Sequence, residues 1–128
     1  MKYLLYTLLF SFSQVVFAGI APYTENEDFS KWQHVKYFKE FINSIPGDKY
    51  PAIVQGGAVL GGGVVYRALF NLKPSKYFKY KFTYGVTKHE YEKLRFRYTQ
   101  KGFTLVHLQI VQLMAMKAYQ AVWIKNDL

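Results

Sequence analysis

The chain has 128 residues, a net charge of +9 and no cysteine. That length holds one small domain, or two small repeats sharing a core, and leaves no room for a separate catalytic domain. Without cysteine there is neither a disulfide framework nor a thiolate metal site, so stability must come from packing, for which Phe, Trp and Tyr supply 20% of the residues.

The N-terminus reads as a secretory signal. Lys2 supplies the positive start, Leu4 to Phe12 is almost wholly apolar, and Val16-Phe17-Ala18 sets small residues for cleavage after Ala18. An uncleaved anchor is the weaker reading, because Ser11, Ser13 and Gln14 interrupt a run that would need roughly 20 apolar residues to span a bilayer. Residues 1–18 are therefore expected to be removed, leaving 19–128 as a secreted single domain with no stable membrane insertion. Asn26, Asn43, Asn71 and Asn126 all lack the hydroxyl residue of a glycosylation sequon.

Ala21–Asp28, with Pro22 and three acids, reads as an extended lead-in. Asp28 or Ser30 can cap a helix whose apolar residues Val35, Phe38, Phe41, Ile42 and Ile45 recur on one side, and Pro46-Gly47 ends it. From Tyr50 the pattern becomes strand-like. Gly56-Gly57 suggests a bulge and Gly61-Gly62-Gly63 a hairpin turn, since glycine enters positive φ freely. On the return strand Tyr66, Ala68 and Phe70 share one face, while Val65, Arg67 and Leu69 share the other. Tyr77–Tyr84 alternates Phe78, Tyr80, Phe82 and Tyr84 against lysines, as an edge strand with one buried side would. Thr87 and Glu90 form a capping box opening a second helix to about Gln100, closed by Gly102. A last hairpin follows, with Leu113–Met116 in its turn.

The two hairpins are copies of one unit. Tyr50–Phe70 and Phe103–Trp123 align at a constant offset of 53, with Leu60/Leu113, Tyr66/Tyr119 and Ala68/Ala121 identical. At the same offset Phe38, Phe41 and Ile45 fall on Tyr91, Leu94 and Tyr98, a buried helix stripe in both copies. The expected fold is α+β: two helix–hairpin repeats, about 28–72 and 75–125, whose strands form one antiparallel sheet with both helices on one face.

Gly85-Val86-Thr87, Tyr91, Gly102-Phe103, Leu105-Val106, Tyr119, Ala121, Val122 and Trp123 resemble the repeat that precedes the serine hydrolase domain in polyglycine hydrolase-like proteins, also called a bacterial tandem repeat domain. In the first unit Tyr50, Ile53, Gly56-Gly57, Tyr66, Ala68 and Phe70 follow the pattern more loosely. Val65 and Ala118 stand where the family usually has arginine. The resemblance implies an accessory, non-catalytic repeat. The hydrolase's S-x-x-K nucleophile has no counterpart here, because Ser30, Ser44 and Ser75 are followed three residues on by Gln33, Gly47 and Phe78.

The residues themselves point the same way. The glycine cluster lacks the Lys-Ser/Thr of a phosphate loop, Tyr66 occupies the last glycine of a dinucleotide fingerprint, no G-x-S-x-G elbow occurs, and His34, His89 and His107 have no metal-ligand spacing. The chain is read as a non-enzymatic recognition module without a cofactor or metal. The competing reading is a hydrolase with an unfamiliar site, built on a convergent His107, tyrosine and acid. Lys73, Lys76, Lys79, Lys81, Lys88, Lys93, Arg95, Arg97 and Lys101 face only Glu90 and Glu92 across the middle of the chain. In a secreted protein this surface suits an anionic glycan, an acidic protein or an anionic membrane surface rather than nucleic acid; as a bland alternative it is a solubilising face. Met114, Met116 and Arg67 are the candidate contacts with a protein partner or a second copy, since the repeats differ there; the plainer role for the two methionines is filling a gap in the core.

Overall fold

The computed structural model describes residues 29–126. The secretory signal, the lead-in Ala21–Asp28 and the capping role of Asp28 lie outside the described residues. Within them the order is β1 (Gln33–His34), α1 (Val35–Asn43), β2 (Lys49–Ala58), β3 (Val64–Leu72), β4 (Phe78–Val86), α2 (Lys88–Gln100), β5 (Thr104–Gln112) and β6 (Lys117–Asn126). The fold is α+β and the helix–hairpin unit occurs twice. Its strands, however, divide into two three-stranded antiparallel sheets, β1-β3-β2 and β4-β6-β5, rather than joining into one.

The reason lies at the outer edge of β2. Where a continuous sheet would set another strand, side chains of β5 complete the backbone hydrogen bonds: the Gln109 amide takes the Gly56 N–H at 2.9 Å and donates to the Gly56 carbonyl at 3.1 Å, and His107 Nε2 donates to the Val54 carbonyl at 2.8 Å. Polar main-chain groups buried against the second sheet are thereby satisfied without a shared ladder. Gly56 makes the approach possible, because a Cβ there would stand 3.1 Å from the Gln120 side chain. It pairs regularly with Tyr66, so it is a contact glycine and not a bulge; the irregularity of this hairpin falls between Pro51 and Ile53.

Each helix covers its own sheet, but only α1 is covered in turn. Phe38 and Ile42 enter a core with Tyr66 and Ala68 of β3, and the same core takes Val122, Phe82, Tyr84 and Ile124 from the far face of the second sheet. Phe38 meets Tyr84 edge-on at 4.9 Å and Tyr66 at 5.6 Å. On the other face of that second sheet, α2 places Tyr91 over Tyr119 at 5.1 Å and Tyr98 edge-on to the fully buried Trp123 at 4.8 Å. The expected matching faces, Tyr66-Ala68-Phe70 and Tyr119-Ala121-Trp123, both look toward a helix.

The repeat carries one slip. The helices start 53 apart and Tyr66/Tyr119 keep that offset, but Gln55 pairs with Arg67 as Gln109 pairs with Gln120, which sets β2 and β5 at 54. The two ladder irregularities, skipping Ala52 and Val106, agree with this. The glycine turn 59–63 is one residue longer than the turn 113–116, so Leu60 and Leu113 are not equivalent. Ser30 does not cap α1. Its hydroxyl takes the Ala68 N–H at 3.0 Å while its own N–H donates to the Ala68 carbonyl, so residues 29–34 run beside β3 and His34 precedes the helix without a side-chain cap. The capping box of α2 is present in full, and Gly61, Gly62 and Gly102 all have positive φ.

Candidate functional site

Three buried polar side chains, His107, Gln109 and Gln120, are occupied with holding the fold together across its strands. Gln109 Oε1 also accepts from Gln120 Nε2 at 2.8 Å, and Gln120 Oε1 accepts from the Gly85 N–H at 2.7 Å, so one chain of amides ties β2, β5, β6 and β4. Gly85 has φ +70°, and a Cβ there would lie 2.5 Å from the Tyr66 hydroxyl, so glycine is required twice over. His107 has the same structural task. A carbonyl acceptor fixes its Nε2–H tautomer, and burial pulls its pKa down to about 4 despite the opposing hydrogen bond to Val54.

Tyr66 is buried, which with the neighbouring Tyr84 hydroxyl pushes its pKa up to about 12, and burial raises Tyr84 as well. Neither hydroxyl ionises at neutral pH to serve as a base. Among the described residues no group of three His, Cys, Asp or Glu gathers to hold a metal, and no helix is long and apolar enough to cross a membrane.

Arg67 is not a surface contact. It is 3% exposed, its Nε donates to Gln55 at 2.7 Å, and its guanidinium lies 4.1 Å from the Phe29 ring and 4.5 Å from the Trp32 ring. Arg67–Gln55 is the counterpart of Gln120–Gln109: in the first unit the residues before α1 cover the face that in the second unit grips β2. The difference between the copies at this position therefore reflects what each unit packs against.

Among the described residues two surface features stand out, at opposite ends of the strands. At the closed end the two hairpin tips lie side by side and enclose a groove of about 420 Å³, lined by Val59, Leu60, Gly61–Gly63, Leu113 and Met114. Leu60 is 85% and Met114 98% exposed, so Met114 is no gap-filler in the core; Met116 is also at the surface. Leu113 alone turns inward, against Ala58, Val111 and Ala118.

At the open end a cleft of about 610 Å³ is lined by Phe78, Tyr80 and Phe103 and by Lys79, Lys81, Lys101 and Lys125. Three elements build it. The alternation of β4 turns Phe78 and Tyr80 inward and leaves Lys79 and Lys81 exposed. Positive φ at Gly102 turns the chain from α2 into β5, setting Lys101 beside Phe103. Lys125 of β6 stands directly opposite Lys79, donates to the Lys101 carbonyl at 2.8 Å and passes 5.8 Å from the Phe103 ring. Lys81 lies 5.8 Å from the Tyr98 ring.

Of the nine cations singled out in the sequence, this cleft gathers Lys79, Lys81 and Lys101. Lys73 and Lys76 line an adjoining recess. Lys88, Lys93, Arg95 and Arg97 are carried by α2 outside both, with Arg95 3.6 Å from Glu92. Lys125 was missed because it falls beyond the basic run; the signal that finds it is strand register, which sets it against Lys79. Compared with protein-family models, with curated proteins and with solved structures, the chain matches none of them.

Proposed function

We propose that the chain is a secreted, non-enzymatic recognition module that binds an anionic glycan at the open end of its second sheet. The observation that carries this reading is the cleft that gathers Lys79, Lys81, Lys101 and Lys125, with Phe78, Tyr80 and Phe103 also in its lining. Among the described residues its lining holds no acid. Clustered ammonium groups raise the local concentration of an anion, and Tyr80, half-buried, leaves part of its ring for the apolar face of a sugar. The secretory signal read in residues 1–18 sets the compartment in which acidic glycans are the available polyanions. The resemblance to an accessory repeat agrees with a binding role without catalysis.

The test is titration of heparin into the full mature chain. Lys79→Ser with Lys81→Ser is expected to weaken binding about tenfold, since two partly solvated ion contacts at about 0.7 kcal/mol each amount to that ratio. Lys88→Ser with Lys93→Ser is expected to leave it unchanged. Affinity that persists unaltered above roughly 0.5 M salt would rule out a mainly ionic contact.

A second reading, contact with a protein partner, is favoured by the exposure of Leu60 and Met114 beside one another at the hairpin tips. Apolar patches of this kind mark interaction surfaces. Leu60→Ser with Met114→Ser is expected to abolish capture of any such partner while leaving heparin binding intact. Capture that survives the double substitution would sink this reading.

A further inference from the structure

The cleft at the open end does not stand alone. Phe78 is a wall of it and equally a wall of a second recess of about 450 Å³, lined by Gly47 and Asp48 of the first unit and by Lys73, Ser75 and Lys76 of the segment that joins the units. Tyr50 of β2 packs against the same aromatic divide, 4.6 Å from Phe78 and 5.7 Å from Tyr80. Lys73 Nζ is 5.5 Å from the Tyr80 ring, and Lys76 Nζ is 5.1 Å from Tyr77. Ammonium groups thus run from Lys101 and Lys125 of the second unit to Lys73 and Lys76 of the segment that joins the units, with the exposed Tyr77 and half-buried Tyr80 rings beside the last two.

We infer that this track holds consecutive segments of one linear acidic polysaccharide, the first cleft gripping one anionic sugar and the Lys73–Lys76 recess the next; the inference rests on the glycan-binding reading above. A single small anion would need one cleft only. A polysaccharide carries charged groups at intervals along a chain of otherwise hydroxylated, flat-faced rings, and cations set apart in two recesses with the Tyr77 and Tyr80 rings beside them match that pattern. Asp48 separates this ligand from a uniformly charged one. Its main-chain carbonyl accepts from the Lys73 N–H at 2.8 Å, which fixes the residue in the second recess. A carboxylate there repels the unbroken charge of a polyphosphate or nucleic-acid backbone but accepts a hydrogen bond from a sugar hydroxyl.

The experiment is calorimetry on the full mature chain with size-fractionated heparin oligosaccharides, from disaccharide to decasaccharide, against the wild type and the Lys73→Ser, Lys76→Ser double variant. Affinity is expected to rise with length until both recesses are spanned. The double variant is expected to lose about tenfold in affinity for the decasaccharide, by the same ion-contact arithmetic, and nothing for the disaccharide. Unchanged disaccharide affinity also shows that the variant is folded.

Equal affinity for all lengths, or a double variant that binds the decasaccharide as the wild type does, overturns the extended track while leaving the single-cleft reading in place. Failure of the wild type to bind any length at low salt overturns that underlying reading too. A polyphosphate or single-stranded oligonucleotide of matched charge that binds as tightly as the decasaccharide, and loses as much on the double substitution, overturns the assignment to a polysaccharide.

Discussion

At the scale of single residues the molecule is decided by a few side chains that act on main-chain atoms of the other unit. Gln109 supplies both a donor and an acceptor to Gly56, a match that a shorter or apolar side chain would leave as two buried unpaired groups. His107 adds a pH dependence. Its ring is neutral in the fold, where its pKa is held down to about 4, and titrates near the ordinary 6.5 when unfolded. Above the ordinary value both states carry the neutral ring and the group has no effect on pH dependence. Between the two values the unfolded chain binds a proton that the folded chain does not, so stability falls as pH drops, by about 3 kcal/mol in full. Thermal melts between about pH 7 and pH 4 should show this decline, and His107→Gln, which can still donate to the Val54 carbonyl, should flatten it. An identical slope in the variant would assign the acid sensitivity to other groups.

At the scale of elements the second helix is the better specified of the two. Thr87 Oγ1 accepts from the Glu90 N–H at 3.1 Å and the Glu90 carboxylate accepts from the Thr87 N–H at 3.0 Å, which also holds the Glu90 carboxyl below its usual range. Thr87→Ala is expected to cost about 1 kcal/mol, read as a lower urea midpoint at an unchanged slope. No shift in midpoint would mean that packing of Tyr91 and Tyr98 alone holds the start of α2.

This capping box was legible in the sequence because its parts are three residues apart and act on each other. The same holds for the glycine turn at 61–63, for Gly102 and for the alternation of β4. The parts that were not legible depend on contacts between distant residues. A constant offset fits both hairpins in sequence, yet the ladders demand one residue more between α2 and β5 and one fewer in the second turn, and only the pairing of Gln109 with Gln120 shows it. Ser30 has the right chemistry for a helix cap, but β3 offers its hydroxyl and N–H a partner in Ala68. For the candidate site, the charge of the basic run was plain. Its division was not: β4, α2 and the end of β6 sort those lysines between the cleft, the adjoining recess and a solvated helix face.

At the scale of the whole molecule the two units share a core rather than merely touching. Phe38 and Ile42 of the first unit and Val122 of the second belong to one cluster, and the buried face of β4 rests on α1. Residues 75–128 expressed alone would expose Phe82, Tyr84 and Val122 together with His107 and Gln109, whose partners lie in β2. That fragment is expected to be unfolded, lacking a cooperative melt by circular dichroism; a sharp transition would show that the second unit folds independently.

The grip of Gln109 on Gly56 joins unlike surfaces, the outer edge of one unit to the back of the next. Such a contact is directional and has no inherent end: a third unit could be added to the second as the second is to the first, and so could another molecule. The second unit closes that route with its own residues. Ile110 stands at the position of Gly56, so its side chain occupies the space that an incoming glutamine would need. Arg95 stands at the position of Ile42, so the helix face that would meet another sheet is charged and exposed. At the other end Phe29 and Trp32 already lie on Arg67. The architecture is one that could grow into a filament, and Ile110, Arg95 and the cover on Arg67 each work against stacking a further unit of the same kind on this pair.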